Sequence, residues 1–494
     1  MGGLMGHPRR AGVLLHPTSL PGPFGAGDIG PNARQFLDWL ASANQQIWQM
    51  LPITPPDAAG SPYASSSAFA RSPWLLSIDD LVTDGWLLPS EKPWGIGSPH
   101  RVDHAAVQRH KAPVLALAAA RVADQVDLDA WSRDVAWVND WACFEALSGL
   151  HDGPWTAWPK DVRERSAAAL HQVRNHHTVA FETARALQWL FEQQWTALRA
   201  HAKTRGVALW GDVPFFVGAN SCDVWVHRAL FRVDDAGHPT VVSGVPPDAF
   251  STEGQTWGTP LYNEAEHART DWHWWQDRVA SQAELFDDLR LDHFRGIAGV
   301  WEIPRHHPAT EGRWIPGPGA GLLNALRTRL GRRPLIAEDL GVITEDVVAL
   351  RDDFDLPGMA ILQFAFSSAT GDGTHAYLPH NHRPNSVVYT GTHDNDTTRG
   401  WYATADEPTR DHVRRYLSSD GHDISWDLAR AAWHSVAQDA IVPMQDLLAL
   451  EGDARMNVPG TETGNWSWRA GQEAFSIHTA ARLREETMLS GRSS

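Results

Sequence analysis

Residues 289–296, LRLDHFRG, bring a carboxylate (Asp292), an imidazole (His293) and two guanidiniums (Arg290, Arg295) into one short stretch. Charge at that density does not belong in a packed interior unless it is paired or working. Two later stretches share the form, an apolar run that ends in acids. PLIAEDLG delivers Glu338 and Asp339, and SVVYTGTHDND delivers His393, Asp394 and Asp396. Three carboxylates gathered at one place do not ionise equally easily, so one of them keeps its proton and the site holds both an acid and a base or nucleophile. That is the arrangement for cleaving glycosidic bonds, where carboxyl groups about 5 Å apart imply a covalent sugar intermediate and retained configuration.

Neighbours assign the roles. Arg290 lies two residues before Asp292 and shares its face of a strand, while Arg295 is expected to pair from the turn; a guanidinium nearby keeps a carboxylate ionised, as a nucleophile requires. Glu338 follows the apolar Leu335, Ile336 and Ala337, and burial with carboxylate neighbours raises its pKa, which suits the general acid. Asp394 and His393 are expected to bind ring hydroxyls and to stabilise positive charge at the anomeric carbon. Asp339 and Asp396 are expected to serve these groups through hydrogen bonds rather than to act. A metal reading competes, since HDND with Asp292 offers oxygen ligands and His306 with His307 offers nitrogens, but neither HExxH nor a calcium-loop pattern is present. A serine or cysteine nucleophile has no GxSxG and no cysteine beside a plausible base.

Such side chains need strands to deliver them. Apolar runs at 12–16, 47–53, 206–216, 289–292, 334–340, 359–364 and 386–391 read as seven strands, and 455–458 is taken as the eighth. With intervening helices, the first of them starting near Pro31, this predicts an α/β fold: a (β/α)8 TIM barrel whose active-site face is surrounded by inserted, largely helical subdomains. The whole chain, 1–494, is read as one catalytic domain with a helical insertion at about 79–203 and a polar loop insertion at about 218–284. Loops add candidates. Ser61 and Tyr63 stand in a long small-residue loop after the second strand, Asp212 ends the third, and Glu253, Gln255 and Trp257 lie on a polar rim over a cleft. Of 25 tryptophans, most are assigned to packing, and Trp257 is singled out as a platform for a sugar ring.

Composition narrows the partners. A net charge of −17 repels phosphate backbones and anionic lipid, so neither nucleic acid nor a membrane surface is expected. Two cysteines, Cys143 and Cys222, form no disulfide framework, the N-terminus has no signal-peptide core, and no apolar run is long enough to span a bilayer, which together predict a cytoplasmic protein. Clustered glycines at 22–30 lack the spacing of a dinucleotide or phosphate loop.

The ordered series GVLLHPTSLPGPFGAGDIG, SPYASSSAFA, GDVPFFV, VVSGVPPD, RLDHFRG, AEDLGVIT, LPGMAILQFAF, VVYTGTHDNDT and RMNVPGTETGNW resembles the amylomaltase (disproportionating) type of 4-alpha-glucanotransferase, glycoside hydrolase family 77, over nearly the whole length. The resemblance implies an α-1,4-glucan donor and a glucose or maltooligosaccharide acceptor. It makes Asp292 the nucleophile, Glu338 the acid then base, and Asp394 the transition-state stabiliser. Asp212, Arg290 and His393 would contact the sugar in the donor site, with Ser61 and Tyr63 on the opposite rim and Trp257, beside Glu253 and Gln255, on the acceptor side. No organic cofactor or metal is implied. Departures fall in PPDAAGSPY, where a tyrosine and a glycine–aspartate pair are usual, at Thr259 in place of asparagine, and at Cys222 in place of alanine. An α-1,4-glucan hydrolase using the same acids, or a glucan-binding barrel without turnover, are the alternatives. Donor and acceptor length, cyclisation, the transfer-to-hydrolysis ratio and the oligomeric state are set by geometry that residue types leave open.

Overall fold

The structure is a computed structural model that describes residues 8–247, 253–331, 335–366, 373–461 and 463–492. Eight parallel strands close into a barrel: β1 (Arg10–Leu14), β2 (Ile47–Gln49), β3 (Ala208–Val213), β6 (Asp288–Leu291), β9 (Leu335–Ala337), β10 (Gly358–Ile361), β11 (Ser386–Tyr389) and β12 (Asp439–Pro443), each hydrogen-bonded to the next in that order and β12 back to β1. Four further strands, β4 (Val241–Val245), β5 (Gln255–Pro260), β7 (Gly299–Pro304) and β8 (Arg313–Pro316), form an antiparallel sheet in the order β5-β4-β7-β8. The α/β TIM-barrel reading therefore holds, with one corrected strand. Residues 455–458 do not close the barrel; β12 does, pairing with both β1 and β11.

Barrel strands are buried on both faces, which is why they read as unbroken apolar runs rather than alternating ones. Their side chains divide by parity. Leu14, Ile47, Trp210, Ile336, Met359, Ile361, Val387, Tyr389 and Ile441 pack together in one cluster, the filled interior of the barrel. The alternate residues, such as Val13, Trp48, Leu209, Leu291, Ala337 and Val442, belong to the larger core beneath the helices. Gly12 is needed for closure: a Cβ there would stand 2.4 Å from Ile47 Cβ and 2.9 Å from Ile441 Cδ1.

Between β2 and β3 the chain builds seven α-helices, among them His104–Gln125, Val138–Ser148 and Thr178–Thr204. Their starts follow from sequence: Ser77, Asp103, Asp127 and Ser166 each cap a helix by accepting a backbone N–H three residues on. The antiparallel sheet lies within and beyond the stretch read as polar loops. Alternation along β5 sends Gln255, Trp257 and Thr259 to one face, and all three line the cleft over the barrel. Among the described residues no helix is long and apolar enough to cross a membrane.

Candidate active site

Strand register explains how the acids meet. Asp212 on β3 is the Cα partner of Arg290 on β6, and Arg290 that of Ile336 on β9. Ile336 points into the barrel, so Arg290 and Asp212 do as well, and the same face two residues on carries Asp292 and Glu338. Asp292 N donates to Val213 O (3.0 Å) and Glu338 N to Leu291 O (3.1 Å), which prolongs the pairing just past the strand ends. His293 then turns with φ +49°, a left-handed conformation that aims its N–H back at Glu338 Oε2, 2.7 Å away. One peptide thus ties the carboxyl of Glu338 to the residue beside Asp292.

Arg290 is the organising cation. Its Nη1 donates to Asp212 Oδ1 (2.9 Å) and Oδ2 (2.7 Å) and stands 2.9 Å from Asp292 Oδ1. Burial lowers the guanidinium's pKa, but Asp212 and Asp292 outweigh it and hold the group charged. Tyr63 donates its hydroxyl to Asp212 Oδ2 at 2.7 Å. Burial drives the pKa of Glu338 well above the ordinary carboxylate range; Arg290 opposes that and the charge of Asp292 adds to it. Asp292, by contrast, has a side chain that is 26% exposed and directly paired with a cation. A carboxyl that burial inclines to keep its proton, near a second carboxylate paired with a cation, is the combination that an acid and a nucleophile would need.

The β11 end supplies the third acid. Asp394 Oδ1 accepts from Asn457 Nδ2 (2.6 Å) and lies 3.3 Å from His393 Nε2, while Arg455 Nη2 donates to its backbone carbonyl. His393 stacks on Tyr63 (ring centroids 5.2 Å, 10° between planes), and Trp466 leans against both. An open cleft of about 820 Å³ is lined by Asp292, Glu338, Asp394, Arg290, His393, Tyr63 and Ser61 on one side and by Gln255 and Trp257 on the β5 rim. Trp257 is 37% exposed, is buttressed edge-on by His293 (centroids 4.9 Å), and donates its Nε1–H to Gln255 Oε1 at 3.2 Å.

Two expected contacts are placed otherwise. Asp212 does not line the cleft; its side chain is 1% exposed, beneath Arg290 and Tyr63. Glu253 is exposed outside the lining residues, and residues 248–252 leading to it lie outside those described. Arg295 does not pair with Asp292. Its guanidinium lies 3.7 Å from the ring centroid of Trp314, and Nη1 donates to Thr344 Oγ1. Asp339 is held by Arg351 and Met359 N–H, and Asp396 accepts from Thr397 N–H; neither lines the cleft. His307 pairs with Glu311 across an exposed turn and His306 also lies outside the cleft lining. Sequence reasoning missed Asn457, Trp314 and Trp466. Asn457 falls within 455–458, the stretch read as the eighth strand, and its signal lies in the polar, proline- and glycine-bearing run that follows from Pro459.

Residues 15–473 match the family profile of glycoside hydrolase family 77, described as 4-alpha-glucanotransferase. The chain is 44% identical to the chloroplastic/amyloplastic 4-alpha-glucanotransferase of Solanum tuberosum, over 93% of this chain and 82% of that one. Against the 4-alpha-glucanotransferase of Thermus thermophilus it is 43% identical, over 97% and 98% respectively. In three dimensions it superposes on the amylomaltase from Streptococcus agalactiae in complex with acarbose with a TM-score of 0.95 at 34% identity, covering 98% of this chain and all of that one. With a matching profile over most of its length and relatives this similar across nearly all of it, the chain belongs to glycoside hydrolase family 77, the 4-alpha-glucanotransferases.

Proposed function

We propose that the cleft carries out retaining transfer between α-1,4-glucans with Asp292, Glu338 and Asp394 as its three acids. The chain is a 4-alpha-glucanotransferase, and the assignment of steps to residues rests on the geometry at the ends of β6 and β9. Arg290 engages Oδ1 of Asp292, which leaves Oδ2 as the attacking oxygen; His293 N–H holds Oε2 of Glu338, which leaves Oε1 to carry the proton. In the first half-reaction Asp292 Oδ2 bonds to the anomeric carbon, the bond to the leaving 4-oxygen breaks, and the proton of Glu338 passes to that oxygen. In the second, the acceptor's 4-hydroxyl attacks the anomeric carbon, its proton returns to Glu338, and Asp292 departs as carboxylate. Two inversions leave the α configuration unchanged. Asp394, oriented by Asn457, holds donor hydroxyls and stabilises the oxocarbenium-like charge, while Asp212 and Tyr63 position Arg290 from below.

Trp257 supplies an apolar ring face at the rim, which seats the acceptor sugar and displaces water from its path. No step calls for a metal or an organic cofactor. The two cysteines are free and buried, which supports residence in a reducing compartment, and we place the protein in the cytoplasm. The observation that carries the mechanism is the 2.7 Å bond from His293 N–H to Glu338, because it sets the acid beside the nucleophile. Incubation with maltotriose tests the function: glucose and longer oligomers at constant total reducing ends are expected, and a steady net gain of reducing ends would mean hydrolysis instead.

A further inference from the structure

A second cavity of about 750 Å³ lies on the outer wall of the barrel, between helix Thr178–Thr204, helix His273–Leu285 and the N-terminal end of β3. Its size is within the roughly 300–1,000 Å³ of ligand sites, and it shares no lining residue with the catalytic cleft among the described residues. Two half-buried indoles, Trp131 and Trp137, stand in its wall. Trp131 is fixed by its Nε1–H donating to Glu192 Oε2 at 2.8 Å, and the Arg71 guanidinium lies over Trp137 at 5.4 Å.

Arg71 forms the inner wall of the groove. It is 7% exposed, and its Nη2 is satisfied by the carbonyl and hydroxyl of Ser281. Its Nη1 is buried without a hydrogen-bond partner among the described residues, although the side chain lines the groove. That atom has no exposed surface, so a ligand would meet the indole faces and the accessible polar groups of the groove instead. Charge decides which ligand. The groove's cations Arg71, Arg199 and Lys203 are matched by Glu192, Glu284 and Asp287, and Arg199 already pairs with Asp287 at 3.2 Å. A phosphate or an acidic peptide would meet as many carboxylates as cations. A neutral polyol finds donors, acceptors and indole faces for its C–H surfaces.

We propose that this groove binds a segment of neutral α-glucan away from the active site, an inference that rests on the glucan reading of the cleft. It also has a structural tie to that cleft. Gln188, in the groove wall, both accepts from Arg71 N–H and donates to Arg71 O, each at 2.9 Å, and so anchors the far end of the loop that bears Ser61 and Tyr63 on the donor rim. A polymer held there raises the local concentration of chain ends at the cleft, whereas a trisaccharide gains nothing from it.

The test compares two variants that leave the cleft intact: Trp131→Ala combined with Glu192→Gln, and Thr196→Arg, which plugs the groove from an exposed helix position without removing any packing. In amylose affinity electrophoresis each is expected to need about five-fold more amylose for half-maximal retention, from the loss of one aromatic contact or its blockage. Their kcat/KM on amylose should fall in parallel, with that on maltotriose within about two-fold of the parent. Unchanged retention in both folded variants, or equal losses on amylose and maltotriose, would overturn the groove while maltotriose disproportionation by the parent kept the glucan reading intact. A parent that transferred nothing would overturn both.

Discussion

Strand β6 carries a charge cluster at each end, and the two are built alike. At its start Arg10 bridges Asp439 (Nε–Oδ1 2.8 Å) and Asp288 (Nη2–Oδ2 3.4 Å); at its finish Arg290 bridges Asp212 and Asp292. Each is one guanidinium between two carboxylates. The difference is exposure of the acids. Both carboxylates of the lower cluster have side chains 8% exposed, whereas the upper cluster hides Asp212 and leaves Asp292 26% exposed to the cleft. A cluster whose acids are all enclosed staples the barrel, and one that turns an acid outward is equipped to react. That division, stability at the strand starts and chemistry at the strand ends, is the rule for this barrel.

The comparison breaks most sharply at Asp292. Asp292→Asn keeps the shape and the bond to Arg290 but removes the proposed nucleophile, and kcat/KM for transfer is expected to fall about 10⁴-fold or more, as for essential nucleophiles elsewhere, with the melting temperature preserved. Glu338→Gln should cost about 10²–10⁴-fold, the range for general acid–base groups, and less with a glucosyl fluoride donor, whose leaving group needs no proton.

The same variant has a pH signature. Because the folded state raises the pKa of Glu338, the proton is held more tightly folded than unfolded. Its stability contribution is complete below the unfolded value of about 4.3 and is lost as pH rises through the folded value. Glu338→Gln should therefore gain melting temperature relative to the parent at pH 8 and not at pH 4, read by calorimetry at both. The parent's alkaline loss of kcat should follow the deprotonation of Glu338.

Arginine substitutions should separate the two ends of β6. Arg290→Met leaves Asp212 buried without its cation, a loss of about 3–5 kcal/mol, and should also abolish measurable transfer. Arg10→Met likewise strips the cation from two carboxylates that are only 8% exposed, so it should cost stability as well, about 3 kcal/mol, yet leave kcat/KM within about two-fold of the parent. Chemical denaturation and maltotriose assays on both variants give the contrast; an Arg10 variant as inactive as Arg290→Met would erase it. A moderate loss of activity is expected for Tyr63→Phe. It removes one hydrogen bond to Asp212 and keeps the stack on His393, so kcat/KM should fall about ten-fold, the worth of a hydrogen bond to a charged group.

How much of this was legible in residues alone follows from what each element had to satisfy. The carboxylate-bearing strand ends were legible because barrel strands buried on both faces leave apolar runs that stop abruptly at charge. β12 escapes the pattern because DAIVP opens on an acid, ends in a proline without a charged cluster behind it, and closely follows the helix Ile424–His434. The antiparallel sheet was missed because β4 and β5 contain glycine and polar residues and read as loop. Asp212 illustrates a different limit. The family resemblance implied a sugar contact for it, but only the β3–β6 register shows it lying alongside Arg290, enclosed beneath Tyr63. Arg295 was assigned to Asp292 by proximity along the chain, and the turn at His293 carries it instead to Trp314.

Acid-quenched mass spectrometry of Glu338→Gln after brief exposure to a maltooligosyl fluoride tests the central claim most directly, since the fluoride forms the intermediate without the acid and the missing base slows its release. A glycosyl mass on the peptide that contains Asp292, located on that residue, is the predicted result. A label on Asp394 or on any other carboxylate, or turnover of the fluoride with no labelled peptide, would contradict it.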